Sequence, residues 1–197
     1  MIEATRSNRL RLLQLAQRIR VPAGLVLAPL LVIAAKPSPR ALVIGALVAI
    51  IGLLIRAWAS GYLKKNLELT VTGPYAHTRN PLYLGTFIMG GGIALASGAW
   101  WFAVVYVALY LLIYVPVMIA EAQTLNQLFA GEYPDYSREV PLFLPRATAY
   151  QSPASEKMNS ERPFALSQYL KHREYRAAIG VAVALALLIA KYLLFVR

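Results

Sequence analysis

Apolar residues run in long blocks along this chain, without the alternation of a half-buried strand or the single apolar stripe of a soluble helix. Residues 41–63, ALVIGALVAIIGLLIRAWASGYL, form one such block. At about 1.5 Å per helical residue it is long enough to cross a hydrocarbon core about 30 Å thick. Residues 175–197, YRAAIGVAVALALLIAKYLLFVR, form another. Between them, residues 82–120 are nearly all apolar and are broken only by ASGAWW at 96–101, which reads as two spans joined by a tight interfacial turn. A shorter run, 21–35, carries Pro22 and Pro29. To span, it must kink, recruit flanking residues or thin the bilayer. The pattern predicts an all-α, polytopic integral membrane helical bundle of about five transmembrane helices, including a tight helical hairpin.

Composition agrees: 58% of the residues are apolar and 15% charged, with a mean hydropathy of +0.53, far from soluble averages. A cleaved leader is the competing reading of residues 1–35, but a basic lead of twenty residues is too long for one. The net charge of +11 raises the question of nucleic acid, and the placement of the charges answers it. With the N-terminus inside, the arginines of residues 6–20, Lys64, Lys65, Arg79, Arg138, Arg146 and the basic residues of 157–176 share one side. Lys36, Arg40, Lys191 and Arg197 lie at or near the other, so the first side is cytoplasmic. The partners implied are membrane lipids and a lipophilic substrate, not nucleic acid. Residues 1–20 can form an amphipathic cytoplasmic segment with Leu10, Leu13 and Ala16 or Ile19 on one face. A membrane core follows over 21–146, then a cytoplasmic linker over 147–174 and a C-terminal span over 175–197. The absence of Cys excludes disulfides and thiolate chemistry, and with two His no metal site is expected.

The chemistry concentrates at two places. GPYAHTRNPLYLG, residues 73–85, packs Tyr75, His77, Arg79, Asn80 and Tyr83 against the bilayer, with Asn80 a candidate N-cap and Pro81 at the first position of the third span. Interfacial anchoring explains a tyrosine there, and close helix packing explains Gly85 and the Gly90–Gly92 cluster. A cation, an imidazole, an amide and two phenols together suit an anionic or highly polar ligand at a helix N-terminus. The second place is Glu121, a carboxylate at the expected membrane boundary of the fourth span, followed by LNQLFAGEYPDYSREVPLFLPR.

These two motifs, in this order and separated by an apolar hairpin, resemble the isoprenylcysteine carboxyl methyltransferase and phospholipid N-methyltransferase family of integral membrane enzymes, over about Leu53 to Arg146. The resemblance implies S-adenosylmethionine as cofactor on the cytoplasmic side. Tyr75, His77, Arg79, Asn80, Pro81, Tyr83 and Gly85 match its first motif; Glu121, Leu125, Phe129, Tyr133, Tyr136 and Pro141 match its second. A carboxylate there, Glu121, would take the cofactor's ammonium, and Arg79 or a backbone N–H its carboxylate. The chain departs from the family at Asn80, where prenylcysteine enzymes commonly carry His, and at Ala122, where many relatives carry a second Glu. A span after Arg146 also lies beyond the matching core.

Arg56, inside the second span, lies within snorkelling reach of the interface; facing the bundle instead, it would hold a substrate carboxylate beside Arg79. Those two cations, with Glu121 committed to the cofactor, make a prenylcysteine-like carboxylate the expected acceptor. An amine acceptor, as in phosphatidylethanolamine, needs a base, and only Glu121 or His77 offers one. A nicotinamide-dependent membrane sterol reductase and a non-catalytic lipid-binding protein are the readings from other classes. The topology is testable because the chain lacks Cys: single probes Ser38→Cys and Ser155→Cys should label from opposite faces of oriented vesicles. Labelling of both from the outer face would refute the five-span arrangement.

Overall fold

A computed structural model describes residues 29–63, 68–151 and 164–195. The amphipathic segment 1–20, most of the first predicted span and much of the linker lie outside the described residues. Among the described residues the chain is all helix and turn, without strands. The long elements are α1 (Pro39–Tyr62), α2 (Pro81–Ala96), α3 (Trp100–Leu128) and α6 (Tyr175–Phe195). Two short helices, α4 (Tyr133–Glu139) and α5 (Leu166–Lys171), and a 3₁₀ turn at Gly73–Ala76 occupy the polar regions. Three helices, α1, α3 and α6, are long and apolar enough to cross a membrane, and α2 is a shorter apolar helix. This is the expected helical membrane bundle. Of the predicted span at 21–35, residues 29–34 are helical.

Ser38 starts α1 by accepting from the Ala41 amide at 3.2 Å. The predicted hairpin turn is present between α2 and α3. Gly98 adopts a left-handed backbone (φ +70°), and a Cβ there would strike the Lys36 carbonyl. The Ser97 carbonyl accepts from the Lys36 amide at 2.7 Å, tying the turn to the start of α1. The fourth span differs from expectation. Instead of ending near residue 120, α3 continues to Leu128, about 44 Å at the usual helical rise and longer than the hydrocarbon core is thick. The change from apolar to polar residues marks where the helix leaves the bilayer, and good helix formers at 121–128 carry it on.

The most extensive contact joins α1 and α2 antiparallel. Gly45 and Gly52 on α1 meet Gly92 and Gly85 on α2; a Cβ on Gly92 would strike the Ala49 amide nitrogen, and one on Gly52 the Met89 nitrogen. Backbone thus lies on backbone, the small-residue packing that lipid-embedded helices use. Gly90 has a different neighbour, the Tyr106 ring from α3, whose hydroxyl donates to the Thr86 and Phe87 carbonyls, both at 3.1 Å. Helix α6 packs against α1 and α2. Its Lys191 donates at 2.7 Å to the Val32 and Ile33 carbonyls, satisfying the exposed end of the 29–34 helix.

Two adjacent glycines therefore differ in consequence. Gly92→Val forces α1 and α2 apart and should destabilise the protein by about 1–3 kcal/mol or more. Gly91→Ala, whose new methyl would lie 3.8 Å from Tyr106, should be neutral. Thermal unfolding of both variants in detergent would check this; equal melting temperatures would refute the backbone seam.

Candidate functional site

At the end of the bundle where α1 finishes and α2 begins lies a cavity of about 390 Å³, at the small end of the range for ligand sites. Arg56 of α1 and Leu63 just beyond its end reach it; Asn80, at the N-cap position of α2, and Pro81, Leu82, Tyr83 and Thr86 of its first turns line it, with Tyr114, Glu121 and Leu125 from α3. Glu68, Leu69, Thr70, Tyr75, Arg79, Phe129 and Tyr136 complete the wall. Of the residues singled out in the sequence, Arg56, Tyr75, Arg79, Asn80, Pro81, Tyr83, Glu121 and Leu125 come together here. His77 and Gly85 do not line it. Gly85 faces α1, where a Cβ would crowd Arg56 and Gly52. His77 is a strut of the loop, its Nδ1 lying 3.0 Å from the Arg146 carbonyl and its own carbonyl accepting from the Arg146 amide at 2.9 Å.

Much of the polar inventory of residues 76–80 serves this strut role. The Arg79 amide donates to the Pro141 carbonyl (3.0 Å) and the Tyr150 amide to the Ala76 carbonyl (2.9 Å). Thr78 Oγ1 donates to the Phe143 carbonyl at 2.9 Å. Asn80 sits at the N-cap position, but its side chain caps nothing: Nδ2 donates to the Leu142 carbonyl at 2.9 Å. The two sequence motifs are thereby laced together, backbone to side chain, where irregular loops close over a helix mouth. Beneath the lacing Ala76, Tyr133, Tyr136, Val140 and Tyr150 form a small apolar core, and Tyr136 donates to the Tyr75 carbonyl at 2.7 Å.

Arg79 alone in that stretch sends its charge into the wall. Its Nη1 donates to the Tyr133 hydroxyl at 3.0 Å; its Nε is buried without a hydrogen-bond partner. An unpaired buried guanidinium nitrogen in a cavity wall fits an incoming anion. Burial raises the Tyr75 phenol well above its ordinary value, and the Tyr136 phenol and the Glu121 and Glu174 carboxylates push the same way, against Arg56. Burial, and then Tyr133, likewise raise Tyr136. Both phenols therefore remain neutral donors at physiological pH.

Arg56 faces the bundle, and its partner is one the sequence reading missed. Nε and Nη2 grip the Glu174 carboxylate at 3.0, 2.9 and 2.7 Å; Nη1 also donates to Thr86 Oγ1. The side chains are 20% and 10% exposed. Glu174 was findable: a cation within a span calls for an anion at comparable depth, and Glu174 is the acid that directly precedes the last span. Glu68 and Tyr114 were missed too. Tyr114 continues a stripe with Tyr106 and Tyr110 at helical spacing; its ring stacks on Tyr110 at 4.1 Å and meets Tyr83 edge-on at 5.6 Å.

Residues 41–132 match the family model for phospholipid methyltransferases, which bears out the resemblance drawn from the motifs. The nickel-cobalt-cadmium resistance protein NccN of Alcaligenes xylosoxydans xylosoxydans is 31% identical over 117 residues, 58% of this chain and 54% of that protein. The cobalt-zinc-cadmium resistance protein CzcN of Cupriavidus metallidurans is 29% identical over 116 residues, 58% of this chain and 53% of that protein. The chain thus spans about half the length of the curated relatives it matches. No solved structure matches. Among the described residues no cluster of three or more His, Cys, Asp or Glu side chains could hold a metal ion.

The lacing makes its own prediction. Thr78→Val preserves shape but strands the Phe143 carbonyl and the Asn80 amide, which donates to Thr78 Oγ1 at 3.3 Å. It should cost about 1–3 kcal/mol in chemical unfolding. An unchanged midpoint would show that the lacing is dispensable.

Proposed function

We propose that this chain is a methyltransferase that binds S-adenosylmethionine in the cavity, on the cytoplasmic side of the membrane, and methylates the headgroup amine of a membrane lipid. When bound, the cofactor supplies an electrophilic methyl on a sulfonium sulfur. The residues present fit it. The unpartnered Arg79 Nε suits the carboxylate of the cofactor's amino-acid end, and Glu121, which lines the same cavity, suits its ammonium. Tyr75, Tyr83, Tyr114 and Tyr136 offer π-faces and phenols to a cationic centre. The loops laced over the mouth hold these groups in place and limit water.

The single observation that carries the choice of acceptor is that Glu68 lines the same cavity as Glu121. From the sequence, a lipophilic carboxylate is favoured, because one carboxylate is in reach and two cations stand ready. The cavity has two carboxylates, so one can serve the cofactor while the other draws the proton from an acceptor amine, whose lone pair must be free before it attacks. Of the two cations in the wall, Arg56 is already neutralised by Glu174. An amine needs a base and no spare cation; a carboxylate needs the reverse.

Full-length protein in lipid, given methyl-labelled S-adenosylmethionine with phosphatidylethanolamine or a prenylcysteine analogue, should place base-stable label in the phospholipid. Volatile methanol released by base from the prenylcysteine product would overturn the acceptor and keep the methyltransferase. In calorimetric titration Glu121→Gln should weaken cofactor binding by roughly 10- to 150-fold, the worth of one charge-assisted hydrogen bond. Wild-type affinity in that variant would remove Glu121 from the cofactor site.

A further inference from the structure

Arg56 faces two spaces. It lines the central cavity, and with Glu174 it also lines a lateral groove of about 160 Å³ between α1 and the α5–α6 junction. Leu53, Leu54, Ala57 and Ala178 supply apolar walls. Leu54 and Ala178 are exposed, on helices long and apolar enough to cross a membrane, so the groove opens where acyl chains would run.

We propose that the Arg56–Glu174 pair is the receptor for the zwitterionic headgroup of a phospholipid. The phosphodiester takes the place of the Glu174 carboxylate on Arg56, and the ammonium takes the carboxylate so released. This rests on the lipid-amine reading above and names how that acceptor is seated.

Charge conservation decides the ligand class. Both partners are largely buried, so a ligand with one negative charge that captures Arg56 leaves Glu174 buried and unpaired, which is costly. A cationic ligand that captures Glu174 leaves Arg56 in the same state, and an apolar ligand has nothing to offer either charge. A zwitterion removes one partner from each charge and returns another, so both remain paired.

The geometry of Glu174 favours exchange. Helix α5 ends in a Schellman turn, in which the Arg173 amide donates to the Leu170 carbonyl at 3.0 Å and the Glu174 amide to the Tyr169 carbonyl at 3.4 Å. Arg173 occupies the left-handed position of that turn (φ 55°), where glycine is usual and a side chain is disfavoured. The carboxylate therefore sits on a short, conformationally loaded turn, while Arg56 is held on rigid α1 and anchored by Thr86 and by the Leu82 carbonyl at 3.4 Å. Glu174 also lies outside the segment that matches the methyltransferase family, so this half of the pair is a feature of the chain beyond that core.

The test reads retained lipid instead of turnover. Full-length protein in nanodiscs of equimolar phosphatidylethanolamine and phosphatidylglycerol is released into detergent, and the lipid that stays bound is identified by native mass spectrometry. Wild type should retain phosphatidylethanolamine over phosphatidylglycerol by about 10-fold or more, the scale of one charge-assisted contact. Glu174→Gln frees Arg56 and should turn the preference toward phosphatidylglycerol. Should that variant fail to fold, the double variant Arg56→Met, Glu174→Met removes both buried charges together and is expected to fold; it should retain neither lipid selectively. Absence of preference in wild type, or its persistence in the double variant, would overturn the proposal. Cofactor titration on the same samples separates the two readings: cofactor binding without lipid preference defeats this site alone, and lipid preference without cofactor binding defeats the proposed reaction alone.

Discussion

Backbone contact between α1 and α2 sets the spacing on which the cavity depends. Gly45 and Gly52 lie against Gly92 and Gly85, and in a lipid solvent, where apolar side chains gain nothing by leaving the surroundings, such close packing is what holds helices together. It also brings the α1 guanidinium of Arg56 within reach of Leu82 and Thr86 on α2. A side chain at Gly85 would displace that arginine. The small residues thus shape one wall of the site without entering it.

A second constraint follows from the same solvent. Irregular backbone at the mouth of a membrane bundle needs partners for its amides and carbonyls, and here the two loops supply one another's. His77, Thr78 and Asn80 spend their side chains on the carbonyls of Arg146, Phe143 and Leu142. The polar richness of residues 73–85 is therefore partly a cradle and partly a clasp, and the clasp positions the cradle. Arg79 belongs to both: its amide is in the clasp and its guanidinium in the cavity wall.

The electrostatics of the site are nearly balanced. Two guanidiniums and two carboxylates line the cavity, and a third carboxylate, Glu174, engages one of the guanidiniums from outside. In a setting of low polarity, a charge that gives up its partner must gain another, because an unpaired one is costly to leave behind. That favours ligands that bring charges of both signs, as an amino-acid-bearing cofactor and a zwitterionic lipid both do.

Sequence by itself determined the helical membrane class, three of the long helices, the hairpin turn at Ser97–Gly98 and the two motifs that meet at the cavity. Hydropathy over a window the width of a bilayer is a local property, and so is turn chemistry. It misplaced the end of α3, because apolarity reports where a helix leaves lipid and not where its hydrogen bonding stops. What each polar side chain does was decided only by tertiary structure. Whether His77 meets a cofactor or the Arg146 carbonyl, and whether Asn80 caps a helix or braces a loop, depends on residues more than sixty positions away. Arg56 carried the same ambiguity at longer range: its partner is 118 residues distant, and only the packing of α6 against α1 makes the two neighbours.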